Sequence, residues 1–122
     1  MASVTRVNPT AVARGTIQEL TSAGVYKIVL AGGNGLGAMG SDAAAAKVTD
    51  ALGGMSHILQ TKADGSEIYM VADNHSIDIN SIARAVGQVL DTGTLGTLTG
   101  GVQTLSDGDT VTVTKATDLE AL

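Results

Sequence analysis

The side chains able to do chemistry are few, and most of them stand in one stretch. Asp73, His75 and Asp78 fall within DNHSID, where two carboxylates and an imidazole at a strand-to-helix turn could ligate a metal ion or relay a proton. Their spacing matches neither a calcium loop nor a zinc motif. A simpler role accounts for the two carboxylates: Asp73-Asn74 makes the turn and Asp78 caps the helix that follows. His57, the other histidine, alternates with Leu59 and is expected at the hydrogen-bonded edge of a core. The run Gly35-Leu36-Gly37-Ala38-Met39-Gly40 fits G-x-G-x-x-G, the spacing with which dinucleotide-binding loops approach a pyrophosphate. In those loops the helix begins near the second glycine, whereas here it can begin only at Ser41-Asp42, and Asp42 would point an acid at the phosphates. A glycine loop without a cofactor is the reading that fits. The serines lack any G-x-S-x-G context, and a chain without cysteine has no thiolate nucleophile, zinc-thiolate site or disulfide. Catalytic, cofactor-binding and metal-binding residues are therefore all expected to be absent.

The elements that would hold these residues can be read from periodicity. Met1 to Gly15 is acid-free and is interrupted by Asn8-Pro9, which points to an extended arm over residues 1–15. Residues 16–122 then form a single domain. Strands are expected at Thr16–Leu20 and Val25–Leu30, the second with Tyr26, Ile28 and Leu30 on one face. After the glycine loop, a helix capped by Ser41 or Asp42 carries the stripe Ala45, Val48 and Leu52 and stops at Gly53-Gly54. HILQTKADGSEIYMVAD is a hairpin with Asp64-Gly65 as its two-residue turn, Lys62 opposite Glu67, Thr61 opposite Ile68 and Leu59 opposite Met70. The face made of Leu59, Ile68, Met70 and Ala72 points inward. Asp78 caps a second helix with the stripe Ile79, Ile82, Val86, Val89 and Leu90, ended by Gly93. TGTLGTLTGG has no period and reads as a mobile loop, and Asp107-Gly108 turns the chain into a final strand over Thr110 to Thr117.

In order, these elements predict an α+β fold: a ferredoxin-like βαββαβ two-layer sandwich with an extended N-terminal arm. The core is expected to include Tyr26, Ile28, Leu30, Val48, Leu52, Leu59, Ile68, Met70, Ile82, Val86 and Val113. The sheet face away from the helices mixes Lys27, Gln60, Lys62, Glu67 and Tyr69 with Val25, Val29, Ile58 and Val71. That is too apolar for a wet face, so the N-terminal strand or another subunit is expected to lie across part of it.

Composition narrows the partners. Two tyrosines are the only aromatic residues among 122, so methionines such as Met39, Met55 and Met70 fill the core, and there is no row of platforms for stacked bases or sugars. The net charge of −5 is split: residues 1–40 carry three bases against one acid, and residues 41–122 carry four bases against eleven acids. An acidic body repels phosphate backbones, which argues against nucleic-acid binding. No apolar run is long enough for a membrane span or a signal peptide, so a soluble protein is expected. Arg6 and Arg14 on the basic arm can fork onto carboxylates of a neighbouring subunit. With Val29 and Val71 on the half-apolar face, they are the candidate partner-binding residues.

The opening VTRVNPTA, the G-T-x-x-E-L segment leading into VYKIVL, the stretch SEIYMVADNHSIDINSIARAVGQVL and the closing DGDTVTVTKATDL resemble small virion structural proteins of tailed bacteriophages. The likeness spans most of residues 3–118 and lies in pattern, not in a catalytic signature. It departs at the glycine tract after Leu30 and at the long TLGTLTGG loop. The resemblance implies a non-enzymatic head decoration, or cement, protein on the phage head surface. It would be homo-oligomeric, with the major capsid protein and copies of itself as partners, multiplicity supplying the affinity that single contacts lack. A tail or neck component is the nearest alternative, and a ferredoxin-like small-ligand sensing module is the reading from a different class.

Overall fold

The computed structural model describes residues 25–32, 36–53, 56–72, 77–91 and 93–116. The arm over residues 1–15, the strand expected at Thr16–Leu20 and the chain end from residue 117 lie outside the described residues. The elements run β1 (Val25–Ala31), α1 (Ser41–Leu52), β2 (Ser56–Thr61), β3 (Glu67–Ala72), α2 (Ile79–Leu90), β4 (Leu98–Thr99), β5 (Val102–Thr104) and β6 (Thr110–Lys115). All pairings are antiparallel, and the sheet order is β2-β3-β1-β6-β5-β4. The described residues form an α+β fold, one open sheet with two helices, compatible with a two-layer sandwich. The strand order differs from the expected four-stranded one because the segment read as a mobile loop supplies β4 and β5 at the sheet edge.

The main core is aliphatic. Tyr26, Ile28 and Leu30 of β1, Ile68 and Met70 of β3, and Val111 and Val113 of β6 alternate toward one face, where Val48 and Leu52 of α1 and Ile82 and Val86 of α2 meet them. Each such side chain taken out of water contributes about 1.5–3 kcal/mol. Tyr26 completes its burial by donating its hydroxyl to the Ile77 carbonyl at 3.1 Å. Burial pushes that phenol's pKa up, and the nearby Asp78 carboxylate adds to the shift.

Both helices depart from their expected details. Neither Ser41 nor Asp42 caps α1: Gly40 occupies that position with no side-chain bond, and the buried stripe is Ala44, Val48 and Leu52 in place of Ala45, Val48 and Leu52. In α2 the cap is as read, with Asp78 accepting from the Ser81 amide at 2.7 Å. Its buried residues are Ile82, Ala83, Val86 and Gly87, so the face in contact is centred nearer Ala83 than the wider Ile79–Leu90 stripe. The helix ends at Leu90, three residues before Gly93.

The hairpin holds Lys62 beside Glu67 at 3.7 Å and Thr61 opposite Ile68, as read. Its tip is not a turn with two left-handed residues. Gly65 alone has positive φ, at +81°, and its amide closes the tip onto the Lys62 carbonyl at 2.9 Å. A larger correction follows from the register shift between Ile58 and Gln60, a β-bulge that sets Ile58 opposite Met70. Leu59 is thereby carried to the other face, where it joins Val25, Tyr69 and Val71 in a second buried cluster. His57, expected inward with Leu59 on the helical side, pairs with Val71.

Candidate functional site

Three loops and one helix end converge at the end of the sheet where β1 finishes. The glycine loop arrives there because Gly37 comes within reach of β1: a Cβ on it would lie 2.5 Å from the Leu30 carbonyl oxygen. The Gly40 amide donates to the Asp64 carbonyl at 3.0 Å, and the Leu30 amide donates to the Ser66 carbonyl at 2.8 Å, so loop and hairpin tip are sewn together through backbone. The Gly40 amide, the last of the G-x-G-x-x-G pattern, is thus spent on a protein carbonyl and does not face outward as a phosphate donor would. Gly35 lies outside the described residues.

On the adjoining side, Asp91 at the end of α2 holds the β5–β6 turn. Its carboxylate accepts from the Ser106 amide at 2.7 Å, the Ser106 hydroxyl at 2.5 Å and the Gly93 amide at 2.8 Å. The Ser106 hydroxyl and the two amides hold the Asp91 carboxyl below the usual carboxylate range. Asp64 and Asp78 are lowered for the same kind of reason, through Ser66 and Ser81 respectively. A cavity of about 330 Å³ lies between these pieces, with Leu36, Met39 and Leu90 on its apolar wall and Lys47, Asp107 and Asp109 on its polar one.

A second groove of about 750 Å³ separates α2 from the β4–β5 hairpin, with Arg84 and Gln88 on the helix side and Leu95 and Leu98 opposite. Its floor is Gln103, which is buried and whose side-chain amide donates to the carbonyls of Gly96, Thr97 and Thr104 at 3.2, 3.0 and 2.9 Å. Asn80 ties the hairpin from the other end, accepting from the Gly101 amide at 2.8 Å. The glycine- and threonine-rich segment is therefore a pinned edge of the sheet.

Of the residues singled out in the sequence, Asp78 is the helix cap, while Asp73 and His75 lie outside the described residues, as do Arg6 and Arg14. Val29 is half-buried and Val71 has no exposed surface. Among the described residues no group of three or more histidine, cysteine, aspartate or glutamate side chains is placed to hold a metal ion, and no helix is long and apolar enough to cross a membrane. The positioning residues that sequence reasoning missed are Asn80, Asp91, Gln103 and Ser106. Each acts on a partner 6 to 21 residues away, beyond any local pattern, apart from the bonds of Asp91 to Gly93 and of Gln103 to the neighbouring Thr104. No family model, no curated protein and no solved structure matches the chain.

Proposed function

We propose that the protein is a non-enzymatic structural component of a bacteriophage virion, a decoration protein that binds the assembled head through the major capsid protein and copies of itself. The observation that carries this reading is where the resembling stretch falls. SEIYMVADNHSIDINSIARAVGQVL spans β3 and α2, and Ile68, Met70, Ile82 and Val86 within it are core. The likeness to virion proteins thus concerns the packing unit on which the rest of the sheet is assembled. The pinned loops suit the same role, since a lattice subunit needs surfaces that keep their shape between copies. We also infer that β1, α1, β2, β3, α2 and β6 constitute a ferredoxin-like core into which the β4–β5 hairpin is inserted. The neighbour order β2-β3-β1-β6 supports that reading.

Co-sedimentation tests the function. Shells of the parent phage lacking this protein are expected to bind it saturably, with a copy number that is a whole multiple of a symmetry element, while unassembled capsid subunits do not. Binding to purified tails alone would move the protein to the tail or neck. The groove of about 750 Å³ favours the sensing module as the second reading. A saturable small ligand that raises the melting temperature, with no binding to shells, would establish that one instead.

A further inference from the structure

The groove of about 750 Å³ between α2 and the β4–β5 hairpin has an unpaired charge on one wall and an open strand edge on the other. Arg84, Gln88 and Asp91, at i, i+4 and i+7, line its helix wall. Asp91 is spent on Gly93 and Ser106, and the ion pairs among the described residues are those of Lys27 and Lys62 with Glu67. The Arg84 guanidinium is therefore exposed with no described carboxylate within ion-pair distance. A planar fork of N–H donors, the geometry that matches a carboxylate, borders a groove whose opposite wall is Leu95 and Leu98.

The strand wall is set by its turn. Gly100 and Gly101 have φ of +59° and +81°, the two-residue turn that closes Thr99 onto Val102. Hydrogen-bonded and non-hydrogen-bonded pairs alternate along an antiparallel ladder, so Leu98 opposite Gln103 is a non-hydrogen-bonded pair. The next bond agrees: the Thr104 amide donates to the Thr97 carbonyl at 2.9 Å. The Leu98 N–H and C=O consequently point away from β5, toward the side where no described strand follows β4. Cross-strand partners share a face, and Gln103 is on the helix side, since a Cβ at Gly87 would come within 2.9 Å of its Cγ. The Leu98 side chain is on that side too, packed on the main core. The sheet thus ends at an anchored residue with one backbone donor and one acceptor unspent. A strand of two residues is too short to pair indiscriminately. Two backbone bonds at one position and one forked contact reinforce each other only for a segment that brings both an extended backbone and a carboxylate.

We propose that this groove receives an extended, acidic peptide segment of a partner protein, which adds to the sheet beyond β4 and sets a carboxylate on Arg84. The floor is prepared without the peptide, because Gln103 already holds the Gly96, Thr97 and Thr104 carbonyls in place. The inference rests on the groove and not on the virion reading. Its test is a selection from a library of acetylated, amidated heptapeptides, run in parallel on the full wild-type chain and on Arg84→Glu, a change at an exposed position. The wild type is expected to enrich peptides with Asp or Glu at one fixed position, and Arg84→Glu to lose or reverse that preference. For the peptide most enriched by the wild type, Arg84→Ala should weaken binding about 10- to 100-fold. Hydrogen exchange at the Leu98 amide, fast in the free protein, should slow when that peptide binds. An acidic preference unchanged by the charge reversal, or a bound peptide that leaves Leu98 exchanging freely, would overturn the proposal. So would a selection that enriches nothing, and a small molecule found to bind there instead would then leave the small-ligand reading in its place.

Discussion

Gly87 sits in the middle of α2, where an alanine would stabilise an isolated helix by about 1 kcal/mol. The opposite sign is expected in this protein. A Cβ at position 87 would come within 2.9 Å of the Gln103 Cγ and 3.3 Å of a Leu105 methyl. The Gln103 side chain is flexible in principle, but its amide is fixed by three carbonyls and it is 2% exposed, so it gives way only by breaking those bonds. Overpacking of this kind costs about 1–3 kcal/mol, which outweighs the helical gain. Gly87→Ala should therefore lower the urea-unfolding stability by about 1 kcal/mol with an unchanged m-value. In a Gln103→Ala background the 2.9 Å approach is gone and the Leu105 methyl at 3.3 Å can shift into the space vacated, so the same substitution should become stabilising by about 0.5–1 kcal/mol. The coupling energy of the double-mutant cycle is then about 1.5–2 kcal/mol, within the range for residues in contact. If Gly87→Ala stabilises both backgrounds equally, the close approach of β5 to α2 is wrong.

Ile82→Ala removes a fully buried side chain between α2 and the sheet and should cost about 2–5 kcal/mol, read as a fall in the urea midpoint. Gly65→Ala should destabilise by more than about 1 kcal/mol, because φ is +81° and a Cβ would lie 2.4 Å from the Gly40 carbonyl oxygen; a smaller change in melting temperature would count against the backbone contact between hairpin tip and glycine loop. Asp64, Asp78 and Asp91 have folded pKa values below the unfolded value of about 3.9. Their contribution is thus complete above that pH and is lost as pH falls through the folded values. Melting temperature should hold from neutral pH to about 5 and decline below about 4, and Asp91→Asn should flatten that decline. Gln103→Leu should leave the fold intact but speed hydrogen exchange at the Gly96 and Thr104 amides, which bond across the hairpin at 2.8 and 2.9 Å; unchanged exchange would show the glutamine to be a bystander.

What the sequence revealed and what it hid divide by the range of the interaction. Asp78 three residues before Ser81, Lys62 opposite Glu67, and the alternation of Tyr26, Ile28 and Leu30 are local or single-turn relations, and local chemistry decides them. The β4–β5 hairpin was illegible because its residues are glycines and threonines with little preference of their own. What orders them is a buried glutamine amide and an asparagine 21 residues upstream. The first-turn cap of α1 was misread for a related reason: Ser41 and Asp42 have the right chemistry, but the backbone bond from Gly40 to the hairpin tip sets where the helix starts. For the candidate partner residues, only Val29 and Val71 can be compared with the described structure, and Val71 is buried within its own chain.

The bulge in β2 shows how one unforeseeable residue redistributes a face. Strict alternation from Ile68, Met70 and Ala72 puts Leu59 with them and His57 beside it, and nothing in SHILQT marks an extra residue, since no glycine stands there. With the bulge, Ile58 takes the place opposite Met70 and packs on the helical side, so the main core loses no large side chain. The other face gains Leu59 next to Tyr69 and Val71. A surface that alternation would leave with scattered apolar groups becomes a contiguous cluster, too large to stay wet. The edge strand is also bent away from the flat geometry that invites pairing with another sheet. The same local irregularity thus protects β2 at its edge and creates the demand for a cover on its face. Closing the bulge by deleting Leu59 should remove both effects at once, taking Leu59 out of the second cluster while Ile58 and His57 stay opposite Met70 and Val71, and leaving the edge open to association, visible as concentration-dependent dimerisation in light scattering. If that deletion variant is folded and stays monomeric at all concentrations, the edge was blocked by something other than the bulge.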